Sequence, residues 1–183
     1  PRKHRAEVRK SLEQDLTVEI GRAPELRSAH YRCYAASVRN LGTPVFPRRL
    51  FDAVLDAFGD DADILLIRHR GVPVAAVLNL YWGGAVMPYW GGGVQAARSL
   101  RANERMYFEL MDHARQRGMT HFDFGRSSAD SGPAAYKKNW GFAGEPLIYA
   151  RWSANGEPAR RADQSSGKLA LASQWWKRLP LPV

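Results

Sequence analysis

The sequence predicts a mixed α/β (α+β) fold in which a mixed, mostly antiparallel sheet is flanked by helices. Three observations carry that expectation. Residues 63–69, 72–82 and 85–90 are apolar, strand-like runs separated by the two-residue turns Arg70-Gly71 and Gly83-Gly84, which is the pattern of an antiparallel meander. Amphipathic helical runs stand before and after the meander, so helices can cover both sheet faces. The strong helical run that follows can carry the chain across to a strand parallel to the third, because parallel neighbours need such a crossover.

The elements follow in chain order. Residues 3–14 (KHRAEVRKSLEQ) lack Gly and Pro and read as a charged helix with few apolar anchors, which must lean on something else. Residues 16–20 (LTVEI) alternate as a short strand, and Gly21 breaks it. Residues 24–39 open with Pro24 and Glu25, suited to a first helical turn, and place Leu26, Ala29, His30, Cys33, Ala36 and Ser37 at helical spacing. Pro44 and Pro47 stop that helix, and residues 48–58 form the next, with Leu50, Phe51, Val54, Leu55 and Phe58 on one face. Within the meander, Pro88 marks the third strand as irregular or partly at an edge. Gly91, Gly92 and Gly93 then read as a turn after it. A helix over 100–117 buries Met106, Tyr107, Leu110, Met111 and Ala114, with Gly118 at its C-terminal cap. Residues 121–124 (HFDF) read as a short strand, 125–133 as a polar loop, 134–140 as a short helix closed by Gly141, and 147–152 (LIYARW) as a last strand. Residues 153–168 read as a polar linker, and 169–179 as a short helix with Trp175 and Trp176.

Composition narrows the function classes. The 183 residues are 45% apolar and 25% charged, which fits one globular domain. Cys33 is the only cysteine, so an internal disulfide framework and a cysteine-based zinc site are excluded. No apolar run reaches membrane-spanning length, and the first residues do not read as a signal peptide. The histidines at 4, 30, 69, 113 and 121 show no metal-ligand spacing, so no metal is expected. The formal charge of +9 raises a polyanionic partner first. Its distribution argues against that: residues 1–10 and 160–183 each hold five basic residues and one acid, whereas 11–159 holds 17 basic against 16 acidic. The body is nearly neutral between two basic ends. Trp175, Trp176, Lys177 and Arg178 suit either a membrane interface or packing on the domain.

Four stretches carry a family resemblance: residues 41–49 (LGTPVFPRR), 89–93 (YWGGG), 122–127 (FDFGRS) and 136–142 (YKKNWGF). The element order resembles the acyltransferase fold of the GNAT type. The four stretches together resemble the FemAB family within it, and in particular its members from exopolysaccharide and exosortase (PEP-CTERM) clusters. The resemblance spans about residues 1–152. FemAB-like proteins commonly carry two GNAT-like domains and transfer amino acids from aminoacyl-tRNA to a peptidoglycan precursor. By that resemblance this chain is the second GNAT-like domain: residues 1–20 connect from an upstream domain, 21–153 form the domain, and 154–183 are a basic tail. The resemblance implies a cytoplasmic enzyme, or one peripheral at the inner membrane. It would form an amide on an amino group of a small-molecule or lipid-linked cell-envelope precursor. The donor would be aminoacyl-tRNA or acyl-CoA, with no cofactor certain.

Acyl transfer to an amine needs a neutral amine, aligned reactants and a stabilised oxyanion. Lys137 is the first candidate, since the resemblance implies an aromatic-Lys pair at the tetrahedral intermediate; the aromatic here is Tyr136 where the family usually has Phe. A solvated helix lysine beside Lys138 is the plainer alternative. Asp123 alternates away from Phe122 and Phe124 and can accept a proton or hold Arg126. Arg126, in a Gly/Ser loop, can grip phosphate or carboxylate, or form a structural ion pair with Asp123. Gly91, Gly92 and Gly93 can expose amides to an anion, or serve a bulge or tight turn. They lack the Arg/Gln-x-x-Gly-x-Gly/Ala pattern of CoA-binding relatives. Tyr89, Arg101 and Asn103 complete the substrate-binding candidates. Two other functions fit the same chain: a CoA-dependent N-acetyltransferase, and a non-catalytic binding or scaffold domain.

Overall fold

A computed structural model of the chain describes residues 2–150, 152–154, 176 and 177. Helix α1 (Arg2–Leu12) leads into strand β1 (Leu16–Gly21), followed by helices α2 (Pro24–Leu41) and α3 (Arg48–Phe58). The meander is β2 (Ala62–His69), β3 (Val72–Trp82) and β4 (Ala85–Gly93). Helix α4 (Ala102–Gln116), strand β5 (His121–Phe122) and helix α5 (Gly132–Asn139) complete the fold. The sheet order is β1-β2-β3-β4-β5, antiparallel throughout except for the parallel β4–β5 pair.

Both hairpins close as the sequence predicts. Arg70 and Gly71 both take positive φ (49° and 80°), as do Gly83 and Gly84 (57° and 76°), and paired positive φ values match the twist of the flanking strands. The central strands are buried on both faces, so they read as continuous apolar runs. Leu65, Ile67, Ala75 and Val77 face Met106, Leu110 and Ala114 of α4. The alternate residues Ile64, Leu66, Ala76 and Leu78 face Leu26, Ala29 and Cys33 of α2 and Phe51 and Leu55 of α3.

Asp63 is a buried acid at the start of β2. It accepts from Asn79 Nδ2 (2.9 Å), the Tyr81 hydroxyl (2.9 Å) and Arg117 (3.2 Å), and pairs with His113 Nε2 (3.2 Å). Arg117 also stacks 3.7 Å from the Tyr81 ring centroid. These bonds tie the end of α4 to the sheet.

Three expectations are corrected. The glycines 91–93 lie inside β4, paired with Ala75–Val77 of β3, and do not form a turn after it. The strand at 121–124 is confined to residues 121 and 122. Residues 147–150, expected as a strand, carry no regular structure. Leu147, Ile148 and Tyr149 are all exposed, so the segment has no buried face and no alternation to set a register. The expected helix at 169–179 lies outside the described residues except Trp176 and Lys177, as does most of the 153–168 linker.

Candidate active site

The candidate site forms where β4 and β5 part. The two strands pair only at Ala85↔His121 and Val86↔Phe122, and the Asp123 amide makes one further bond to the Val86 carbonyl (2.9 Å). Beyond Val86 no strand among the described residues pairs with the outer edge of β4. That edge also carries a bulge. Leu78 faces Trp90 while Asn79 faces Pro88, so Tyr89 is the extra residue, half-exposed at the cleft. This is the irregularity that Pro88 signals in the sequence.

The glycine run lets other elements approach. A Cβ on Gly91 would stand 2.8 Å from Val77 Cβ, and one on Gly93 would stand 2.6 Å from Ala97 Cβ. A Cβ on Gly92 would collide with Ser37 of α2. The space where each Cβ would stand is filled, so the run serves the close packing of α2 and of Ala97 against β4.

On the other side of the cleft, β5 releases the chain into the loop 123–131. Asp123 Oδ1 accepts from the Gly125 amide at 2.6 Å, which folds the loop back at Gly125 (φ +64°). Ser131 caps α5 by accepting from the Ala134 amide (3.3 Å), and Pro133 sits in the first turn. That start places Lys137 one turn in. Its Nζ donates to the carbonyls of Gly125 (2.8 Å) and Arg126 (3.1 Å). Partial burial lowers the ammonium's pKa, and the nearby Asp123 carboxylate opposes the shift. Asp123 and Arg126 are not bonded to each other: Arg126 reaches the Tyr149 hydroxyl at 3.5 Å and feels Tyr89 electrostatically.

Lys137, Asp123, Arg126 and Tyr89 are thus brought together, and Tyr149 joins them. The other candidates are placed differently. Tyr136 packs against His4, Tyr107 and Trp140 (centroids 6.1, 5.8 and 6.5 Å), and burial raises its hydroxyl pKa. Arg101 begins α4 with a left-handed φ of +54°, and its guanidinium is taken up by Glu7 of α1 and the Arg98 carbonyl (2.6 Å). Asn103 Oδ1 is buried, 3.0 Å from where a Gly93 Cβ would stand. Sequence reasoning missed Tyr149, which it assigned to a strand, and His30, which it read as one more residue on an apolar helix face. The ring of His30 meets the Trp90 carbonyl oxygen at 2.8 Å, a contact that residue spacing does not disclose. Cys33, read as a buried small side chain, is 1% exposed, and burial pushes its thiol up to about 11.

Among the described residues no group of His, Cys, Asp and Glu has the geometry of a metal site. No described helix is long and apolar enough to cross a membrane.

Comparison with known proteins places this geometry. Residues 2–138 match the family described as acetyltransferase (GNAT) domain. No curated protein sequence matches the chain. Among solved structures, the crystal structure of FemX superposes with a TM-score of 0.71 at 18% identity, over 77% of this chain and 54% of FemX. The chain therefore spans about half the length of FemX. The aminoglycoside N-acetyltransferase AAC(6')-Iy in complex with CoA gives 0.57 at 13% identity, over 75% of this chain and 94% of that one. Ribosomal-protein-alanine N-acetyltransferase from Brucella melitensis biovar Abortus 2308 gives 0.57 at 16% identity, over 75% and 99%. At these identities the likeness is one of fold.

Proposed function

The chain belongs to the acetyltransferase (GNAT) domain family, and from that premise we propose that it joins an acyl or aminoacyl group to an amine of a cell-envelope precursor. Peptidoglycan and exopolysaccharide precursors are the substrate classes in view. The similarity to FemX, the four FemAB-like stretches and the open β4 edge support this reading. An upstream GNAT-like domain completes the cleft in this reading. The reaction, fed from aminoacyl-tRNA or acyl-CoA, is a cytoplasmic one.

The observation that carries the proposal is the seat of Lys137. An ammonium has three N–H donors, and two are committed to the Gly125 and Arg126 carbonyls. The third is uncommitted among the described residues. The acceptor amine attacks the acyl carbonyl carbon, the new C–N bond forms, and the carbonyl oxygen becomes an oxyanion that the third N–H meets. Asp123 has one oxygen on the Gly125 amide and offers the other to the proton that the attacking nitrogen sheds. Collapse breaks the C–O bond of an aminoacyl ester or the C–S bond of a thioester, and the leaving oxygen or sulfur takes up a proton. Arg126 and Tyr89 grip an anionic group of the substrate. Tyr136 supports Lys137 from the packing of α5 against α1 and α4.

A CoA-dependent N-acetyltransferase is the second reading, favoured by the CoA-bound neighbour of the same fold. The absence of the Arg/Gln-x-x-Gly-x-Gly/Ala pattern around Gly91–Gly93 counts against it. The two separate in one assay. Labelled acetyl-CoA and a pool of labelled aminoacyl-tRNAs are each offered with a muropeptide precursor and with glucosamine. Transfer from aminoacyl-tRNA supports the first reading, transfer from acetyl-CoA supports the second, and transfer from neither contradicts both.

A further inference from the structure

His30 lies in the middle of α2, fully buried, and the transfer chemistry above does not use it. Its ring packs against Phe51 (5.5 Å) and Tyr34 (6.1 Å). Its Nε2 stands 2.8 Å from the carbonyl oxygen of Trp90, the residue next to the β4 bulge. A carbonyl only accepts, so Nε2 carries the proton. The other nitrogen, Nδ1, is buried without a partner. A charged ring would leave a second N–H unsatisfied there, and burial lowers the pKa accordingly. The imidazole is therefore a neutral, single donor aimed at one backbone oxygen.

That oxygen sits where the ladder slips. The Trp90 ring is wedged edge-on against Phe51 (5.5 Å) and against Tyr89 (4.4 Å). Tyr89 is the bulged residue itself, 59% exposed on the part of β4 that β5 leaves unpaired. Bulges re-aim side chains, and this one has a buried donor holding it from beneath. We propose that His30 is a positioning residue of the transfer cleft, whose Nε2–H fixes the β4 bulge and thereby the presentation of Tyr89. This rests on the transferase reading above.

The test has two arms. Long-range proton–nitrogen spectra of the imidazoles at pH 7 show which ring nitrogen is protonated, with His30 assigned by its loss in His30→Gln. The expected result is a neutral ring protonated at Nε2; an Nδ1–H or doubly protonated ring overturns the proposal. The second arm compares His30→Gln, whose amide N–H reaches as far as Nε2, with the shorter His30→Asn and the apolar His30→Leu. Amide exchange at residues 89–91 is expected to quicken about tenfold in the Asn and Leu variants and to stay slow in Gln, while residues 64–67 keep their protection. With the donor the chain uses in the assay above, KM is expected to rise about tenfold in Asn and Leu at little change in kcat, and Gln restores it. Equal exchange, or equal KM, across the three variants overturns the proposal. Should Asn and Leu fail to fold, the tautomer and the Gln variant decide. A chain that transfers nothing from either donor sinks the transferase reading, and that is read from a different signal than exchange or tautomer.

Discussion

At Lys137 one side chain meets two demands. It ties the loop 125–126 to α5, and in the proposed reaction its remaining N–H meets the developing charge. A lysine beside Lys138 could have been a solvated surface pair; the two carbonyl bonds distinguish Lys137 from that neighbour. Asp123 and Arg126 were legible as polar groups in a Gly/Ser loop, but their partners were not. The acid turns to the Gly125 amide and the guanidinium to Tyr149, because a tight turn brings the nearer backbone donor to the carboxylate first. Titration belongs to this scale as well. His4 and His30 both have pKa values lowered by burial, in His4 against an opposing pull from Glu104. The folded values lie below the ordinary 6.5, so the unfolded chain takes up these protons first as pH falls. Stability is then expected to drop from pH 7 to pH 5, by about 1.4 kcal/mol per pH unit at most for each ring. Urea melts across that window check it, and His30→Gln should flatten the slope.

At the scale of elements, periodicity made most of the fold readable. The helices and the meander announce themselves through 3.6- and 2-residue patterns and through turn residues that only positive φ explains. The failures have physical causes. The glycines 91–93 look like a turn because glycine marks turns, yet here they allow Ser37 and Ala97 to approach β4. Gly92→Ala is expected to push α2 off the sheet and cost about 1–3 kcal/mol, measured by denaturant unfolding. The run at 147–150 looks like a strand by composition and pairs with no strand among the described residues. The charged first helix was expected to lean on something, and it does: Glu7 pairs with Arg101, and His4 packs 4.2 Å from the Trp140 ring of the YKKNWGF stretch. Helix α1 thereby braces the α5 region that carries Lys137. Asp63 gave no sequence signal beyond an acid at the edge of an apolar run. Asp63→Ala removes the buried acceptor shared by Asn79, Tyr81 and Arg117, and a loss of about 1–3 kcal/mol in the same unfolding measurement is expected.

Across the whole molecule, the sheet separates two cores and opens between β4 and β5, so the cleft follows from topology. The acetyltransferase (GNAT) domain family was legible in the order of elements. The charge of +9 resolves into a nearly neutral body between basic ends, which is not the basic face or stripe of a nucleic-acid module. In the proposed function Lys137 stabilises the oxyanion of an amide-forming transfer. The direct measurement is single-turnover transfer of a labelled acyl or aminoacyl group to an amine acceptor, with Lys137→Met beside the unaltered chain and thermal unfolding run in parallel. The rate is expected to fall about 10²–10³-fold in a chain that still folds. An unchanged rate in the folded variant would contradict it.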